Sequence, residues 1–178
     1  MSFKSHPVHP ALVHFPIAFL TFCHSIDILH YLATNFSIPF LSDLSPLFPQ
    51  LLSTSRLLHT LGIFTAIPAI ITGIAQAAAQ AAKPGNLYEA DGKTIKKKFY
   101  VMATHAALND FCIIVSGISW WGRYKAHGIF GAAEPGVNEV GVAGVVLPVI
   151  LFAASLGGDL VYKYGMGFSA AKSTKKDQ

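Results

Sequence analysis

Four long apolar runs dominate this sequence, and charged residues lie almost entirely between them. The runs extend over about 10–33, 57–82, 99–121 and 140–162. Each reaches the roughly 20 residues that a helix needs to cross a hydrocarbon layer of ~30 Å. Only 12% of the residues are charged, against roughly 25% in an ordinary soluble domain. The pattern predicts an all-α integral membrane four-helix bundle, with one transmembrane domain over residues 1–178 and a polar tail at 168–178.

The segments between the runs carry helix-breaking and charged residues. Residues 35–55 contain Pro39, Pro46 and Pro49 among serines and leucines, and this segment is predicted to be a loop. A polar loop at 83–98 ends in three lysines, and a glycine-rich loop that carries Arg123 is predicted to join the third run to the fourth. Inside the first run, Pro16 predicts either a kink or a helix start near His14.

The basic residues are distributed unevenly between the two ends of the predicted bundle. Four spans place both termini and the 83–98 loop on one face, which holds ten of the thirteen lysines and arginines. The other face holds Arg56, Arg123 and Lys125. By the positive-inside rule the termini are predicted to be cytoplasmic. The expected partner is the lipid bilayer and not nucleic acid, and the sequence leaves open which membrane it is.

Ionisable side chains inside the runs are the candidate functional residues. Each costs about 2.5–3.5 kcal/mol in a span and persists mainly where it faces the bundle interior. Cys23 and Cys112 lack the spacing of a metal site or disulfide framework and are interpreted as packing residues. His6, His9 and His127 lie outside the runs and are interpreted as solvated loop residues. The ionisable residues inside the runs are His14, His24, Asp27, His30, His59, His105, Asp110 and Asp159.

Three of these residues fall at similar depth. Counted from the lysine-rich face at ~1.5 Å per residue, His14, Asp159 and His105 lie at about 5, 6 and 9 Å. His14 and His105 come from two parallel helices, so they are predicted to ligate the iron of one b-type haem. Asp159 or Tyr162 is the predicted partner that orients a ligand. In the alternative interpretation each imidazole only hydrogen-bonds a neighbouring helix, and Asp159 reaches water.

A second pair, His24 and His59, is considered as a further cofactor site. Their depths of about 20 and 30 Å differ by about 10 Å, which favours packing over a shared ligand. His30 and His59 match better, both at about 30 Å, but both are predicted to lie near the opposite interface and to be wet.

Two segments resemble a known family. HPALVHFPIA at 9–18 and GGDLVYKYGMG at 157–167 are similar to the predicted membrane proteins catalogued as domain of unknown function 2231, as is the element at 105–109. The resemblance implies the four-helix architecture and one site shaped by His14, His105 and the 157–162 segment. The chain departs from the family pattern in a longer first loop and in the additional His24, His30 and His59.

Gly157 and Gly158, in the second of these segments, are predicted to let the fourth helix approach a neighbour and bring Asp159 inward.

These observations favour a small membrane protein that binds haem b and transfers electrons, with a redox partner or a quinone. Motifs for covalent haem, flavin, nicotinamide or an iron–sulfur cluster are absent from the sequence, so enzymatic activity is left open. The alternative is a small transporter or proton-linked channel that uses Asp27, Asp110, Asp159 and the histidines. A structural membrane subunit is the third interpretation, and a homo-oligomer is compatible with each.

Overall fold

The computed structural model describes residues 8–36, 38–129, 131 and 133–166, of which Ser42 is described by its backbone alone. Two short helices and four long ones account for most of these residues. The short ones are α1 (Val8–Leu12) and α3 (Pro39–Ser42), and a 3-10 turn follows at Ser45–Leu47. The long ones are α2 (His14–Asn35), α4 (Phe48–Ala81), α5 (Lys97–His127) and α6 (Val137–Tyr162). The predicted tail at 168–178, together with His6, lies outside the described residues.

The predicted all-α membrane fold is confirmed. Within the described residues, four helical stretches are long and apolar enough to cross a membrane. Large apolar side chains point outward from all four, among them Phe22, Ile74, Ile118 and Leu151. Such a surface suits contact with lipid acyl chains, where a soluble protein would expose only small apolar patches.

The first span begins as the prolines indicate. The five-residue α1 ends at Leu12, and α2 starts at His14 after the single residue Val13. Pro16 has no N–H to donate to the carbonyl of Leu12. The helical hydrogen bond between these two positions cannot form, and the helix axis can change direction there. His9 therefore lies on a short helix of its own.

The loop predicted at 35–55 is wrong over much of its length. The helix α4 begins at Phe48 and runs for 34 residues, a length of about 51 Å. Pro49 lies in its first turn, where a missing N–H leaves no bond unmade, so this proline starts the helix. As a consequence Arg56 lies inside a helix.

The third span is also longer than predicted. The helix α5 continues beyond Trp121 to His127 and ends at Gly128, whose φ of 69° suits glycine. This extension places Arg123 on a helix and not in a loop. Both arginines of the chain are thereby brought into the bundle.

The bundle packs unevenly. The helix α2 packs mainly on α4 and α6, and α5 packs mainly on α6, whereas α4 and α5 touch more sparsely. A central core is formed by Leu20, Cys112, Val146 and Ile150. Cys23 and Cys112 are free and buried, in agreement with their interpretation as packing residues.

The tightest contact between α2 and α4 depends on Gly62. A Cβ atom on Gly62 would lie 2.7 Å from both Cγ and Cδ2 of Leu20, a fully buried residue. We expect Gly62→Ala to lower the free energy of unfolding by about 1–3 kcal/mol, as overpacking does. Gly117→Ala is the control, because nothing lies within 4 Å of a Cβ there. Equal melting temperatures for the two variants in detergent would contradict the close approach of α2 and α4.

Candidate functional site

A buried ion pair joins α2 to α5. Nη1 of Arg123 donates to Oδ2 of Asp27 at 2.6 Å, and Nη2 donates to Oδ1 at 3.2 Å. Ser55 on α4 donates its hydroxyl to the same Oδ1 at 2.8 Å. Asp27 is 1% exposed and Arg123 is 6% exposed. The prediction that Arg123 belongs to a loop on the far face is therefore wrong.

Arg56 lies next to this pair and is also buried. Its Nη2 donates to the carbonyl of Arg123 at 2.8 Å and to the carbonyl of Gly128. These carbonyls belong to the last turn and the cap of α5, where helical carbonyls lack N–H partners. Among the residues that the structure describes, none is a hydrogen-bond partner of Nε or Nη1 of Arg56.

His24 and His59 are neighbours, contrary to the predicted difference in depth. Their ring centroids lie 5.4 Å apart. Nε2 of His59 donates to the carbonyl of Ser116 at 2.9 Å, and Nε2 of His24 lies 3.1 Å from the Ser116 hydroxyl. The depth estimate fails because it assumes that both spans begin at one height on the lysine-rich face. His9 contacts Ala69 and Gly73, so the C-terminal end of α4 extends well beyond the start of the first span. Nδ1 of each ring is buried and has no partner within the described ranges. The prediction that His59 is wet is wrong, because the residue is 1% exposed.

Three potential metal ligands lie close together on α2, but their geometry favours packing. Ligand atoms of Cys23, His24 and Asp27 lie within 4.8 Å of one another. The carboxylate is already held by Arg123 and Ser55, and the Ser55 hydroxyl also contacts the Cys23 sulfur at 3.5 Å. This arrangement explains the buried ion pair without a metal.

A second polar group contains His105, one of the predicted ligands. Its Nδ1 lies 2.8 Å from the carbonyl of Ala153 on α6. Because a carbonyl can only accept, this nitrogen carries the proton, and Nε2 is left with its lone pair. The side chain of Asn109 bonds the His105 carbonyl at 2.7 Å, one turn along α5.

His9 has the same environment, and its interpretation as a solvated loop residue is wrong. Its Nδ1 lies 2.9 Å from the carbonyl of Ala69 on α4, with Thr72 at 3.4 Å. The ring is part-buried and belongs to α1. The reason is that α1 begins at Val8, two residues before the predicted start of the first run at Pro10, so His9 lies inside a helix.

The two histidines share one further feature, a glycine under the ring. A Cβ on Gly73 would lie 2.8 Å from Cε1 of His9, and a Cβ on Gly157 would lie 2.9 Å from Cε1 of His105. In both cases the glycine is four residues after the alanine whose carbonyl accepts the bond. Each imidazole is thus fixed in the same way on a neighbouring helix.

The other predicted ligand and the predicted orienting groups lie differently. His14 is the exposed first residue of α2. Asp159 is exposed, and Tyr162 is 88% exposed. Among the described residues, no contact joins any of these three side chains to His105. The groups that orient His9 and His105 are instead the backbone carbonyls of Ala69 and Ala153.

Three other candidates are also placed by the structure. His30 is 5% exposed and packs edge-on against Phe48, with centroids 4.9 Å apart, so the prediction that it is wet is wrong. It is covered because α4 begins with Phe48. Asp110 is exposed on α5, and His127 is the exposed last residue of that helix.

The two glycines before Asp159 differ in their surroundings. Gly157 meets His105, whereas nothing lies within 4 Å of a Cβ on Gly158. We expect Gly157→Ala to displace the imidazole from the Ala153 carbonyl and to lower the free energy of unfolding by about 1–3 kcal/mol. Gly158→Ala should leave the melting temperature in detergent unchanged or slightly higher. A larger loss of stability in Gly158→Ala than in Gly157→Ala would show that α6 approaches its neighbour at Gly158 and would contradict the contact of Gly157 with His105.

Comparison with known proteins identifies the family. The model of the predicted membrane proteins called DUF2231 matches residues 5–170. The chain belongs to this family. No curated protein and no solved structure shows significant similarity to the chain. The DUF2231 match covers both histidine environments and all four long helices, so it supports an integral, multi-pass membrane protein.

Proposed function

We propose that this DUF2231 protein binds one b-type haem, with His9 and His105 as the axial ligands, and transfers electrons in the membrane. The proposal rests on one observation, which is that both imidazole rings are held on a neighbouring helix in the same way. Nδ1 of each imidazole bonds a backbone carbonyl of a neighbouring helix. Histidines that bind a metal through Nε2 usually have this second bond, which sets the tautomer and the ring orientation.

The two imidazoles are held on different neighbouring helices, and both would hold the iron of a single haem. His9 is fixed to α4, and His105 is fixed to α6. Among the described residues, neither Nε2 has a hydrogen-bond partner. Both nitrogens therefore have a lone pair for iron, and neutral imidazole is a common axial haem ligand.

The pair predicted from the sequence, His14 and His105, is the competing ligand set. His14 supports it less well, because the ring is exposed and no group of the described residues fixes it. Asp159 and Tyr162 are also less well supported as orienting groups. Both are exposed, and among the described residues neither contacts a proposed ligand.

A bound haem, held by His9 and His105, would supply one-electron transfer. A redox partner or a quinone would have to provide and accept the electron, and a homo-oligomer is compatible with this role. The buried network around Asp27 supports a second candidate, proton-linked transport through His24 and His59.

The proposal is tested by expressing the full chain with haem supplied and recording visible spectra of the purified protein. We expect an intense Soret band and, after reduction with dithionite, the sharp bands of six-coordinate low-spin haem. A colourless protein would contradict haem binding and move proton-linked transport ahead.

A further inference from the structure

The buried charges at the end of the bundle remote from the 83–98 loop do not balance. Two guanidinium groups, Arg56 and Arg123, are buried there and are 4% and 6% exposed. Asp27 is the single buried carboxylate among the described residues, and both oxygens are used by Arg123 and Ser55. One buried positive charge is therefore left over.

Partial charges nearby compensate Arg56 only in part. Nη2 bonds two carbonyls at the C-terminal end of α5, an end that carries roughly half a negative charge. Nε and Nη1 have no partner among the described residues, so three buried N–H groups of Arg56 make no hydrogen bond there. In the part of the chain that the structure describes, Glu139 on α6 forms no ion pair with either arginine.

A small cavity lies beside these unpartnered groups. Its size is about that of a water molecule, and it opens partly to the exterior. The lining includes Arg56, Arg123, His59, Thr60, Trp120 and the backbone at 128–129. Arg56, whose Nε and Nη1 lack partners, is therefore part of the cavity wall.

We propose that this cavity is a binding site for a small monovalent anion of halide size. The anion would accept from the free N–H groups of Arg56 and neutralise the excess charge. An unpaired buried charge is costly in a protein interior and more so in a membrane, so a bound counter-ion stabilises the folded state. The proposal does not depend on haem binding, because the cavity lies in the network around Arg123 and not beside His9 or His105.

The competing occupant is a water molecule that bridges Arg56 and the free Nδ1 of His59. Such a water would satisfy donors and an acceptor but would leave the charge unbalanced. The two occupants differ in one measurable respect, which is whether stability depends on the identity of the anion in solution.

The test uses the full chain in neutral detergent, with gluconate exchanged for fluoride, chloride or bromide at constant ionic strength. We expect a saturable rise of about 2–4 °C in melting temperature with the preferred halide. The rise should be lost in Arg56→Gln, weakened in Arg56→Lys and retained in Lys125→Gln, which removes an exposed cation at the same end of α5.

A titration of Trp120 fluorescence in a Trp121→Phe background gives a second readout at the cavity wall. A saturable change with the same midpoint supports the anion site. If the parent protein melts at the same temperature in gluconate and in all three halides, the occupant is water and the proposal fails. An equal halide response in the Arg56→Gln variant would also overturn it. Should that variant fail to fold, the parent and Arg56→Lys titrations still decide.

Discussion

Replacing Asp27 with asparagine is expected to lower the free energy of unfolding by about 3–5 kcal/mol, the usual effect of removing one partner of a buried ion pair. The carboxylate is 1% exposed, and it receives three hydrogen bonds, two from Arg123 and one from Ser55. Asparagine keeps the size but leaves Arg123 as an uncompensated buried charge, next to a second buried cation. Unfolding by denaturing detergent, followed by circular dichroism, measures the loss.

Two further variants make this prediction specific to the ion pair. Asp110→Asn removes a carboxylate from an exposed position on α5, and we expect a change within about 0.5 kcal/mol. The double variant Asp27→Asn with Arg123→Gln removes both charges and should recover much of the lost stability. If Asp27→Asn and Asp110→Asn unfold alike, or if the double variant is the least stable, the ion pair does not hold α2 to α5.

The membrane architecture could be predicted from the sequence because it depends on the length of apolar runs. A run of 23 or more residues cannot be placed in a soluble domain of this size without exposing it. The ends of the helices were harder to predict. Pro49 was interpreted as a helix breaker, yet in the first turn a proline is tolerated, and α4 starts there. Arg123 was assigned to a loop because a charge normally marks the end of a span.

Those two errors hid the buried ion pair and the cation beside it. A pair of opposite charges 96 positions apart in the sequence has no local pattern, and only the helix packing shows that they meet. The proximity of His24 and His59 cannot be predicted either, since their relative depth depends on how far α4 extends beyond the first span at the lysine-rich end.

His105 was found from the sequence, whereas its resemblance to His9 was not. An imidazole next to a proline at the edge of an apolar run looks like a loop residue. A helical glycine below each ring and a backbone carbonyl at Nδ1 are visible only once helices are packed. The sequence signal that could have helped is the separation of four residues between Ala69 and Gly73, repeated at Ala153 and Gly157.

Loss of haem on replacing either proposed ligand is the other large effect that we expect. His9→Ala and His105→Ala each remove one of the two proposed ligands, and the remaining histidine should hold the haem only weakly. His14→Ala is the matched control on the same end of the first span, and His24→Ala is the control for a histidine buried in the other network. Circular dichroism and melting of each variant show whether it is folded.

The most direct measurement is Soret absorbance per protein for the parent and these four variants, purified after expression with haem supplied. The account predicts a coloured parent, loss of most of the absorbance in His9→Ala and His105→Ala, and parent-like absorbance in His14→Ala and His24→Ala. Loss in His14→Ala with retention in His9→Ala would assign the ligand pair to His14 and His105. A colourless parent, or equal haem content in all five folded proteins, would contradict a haem held between His9 and His105.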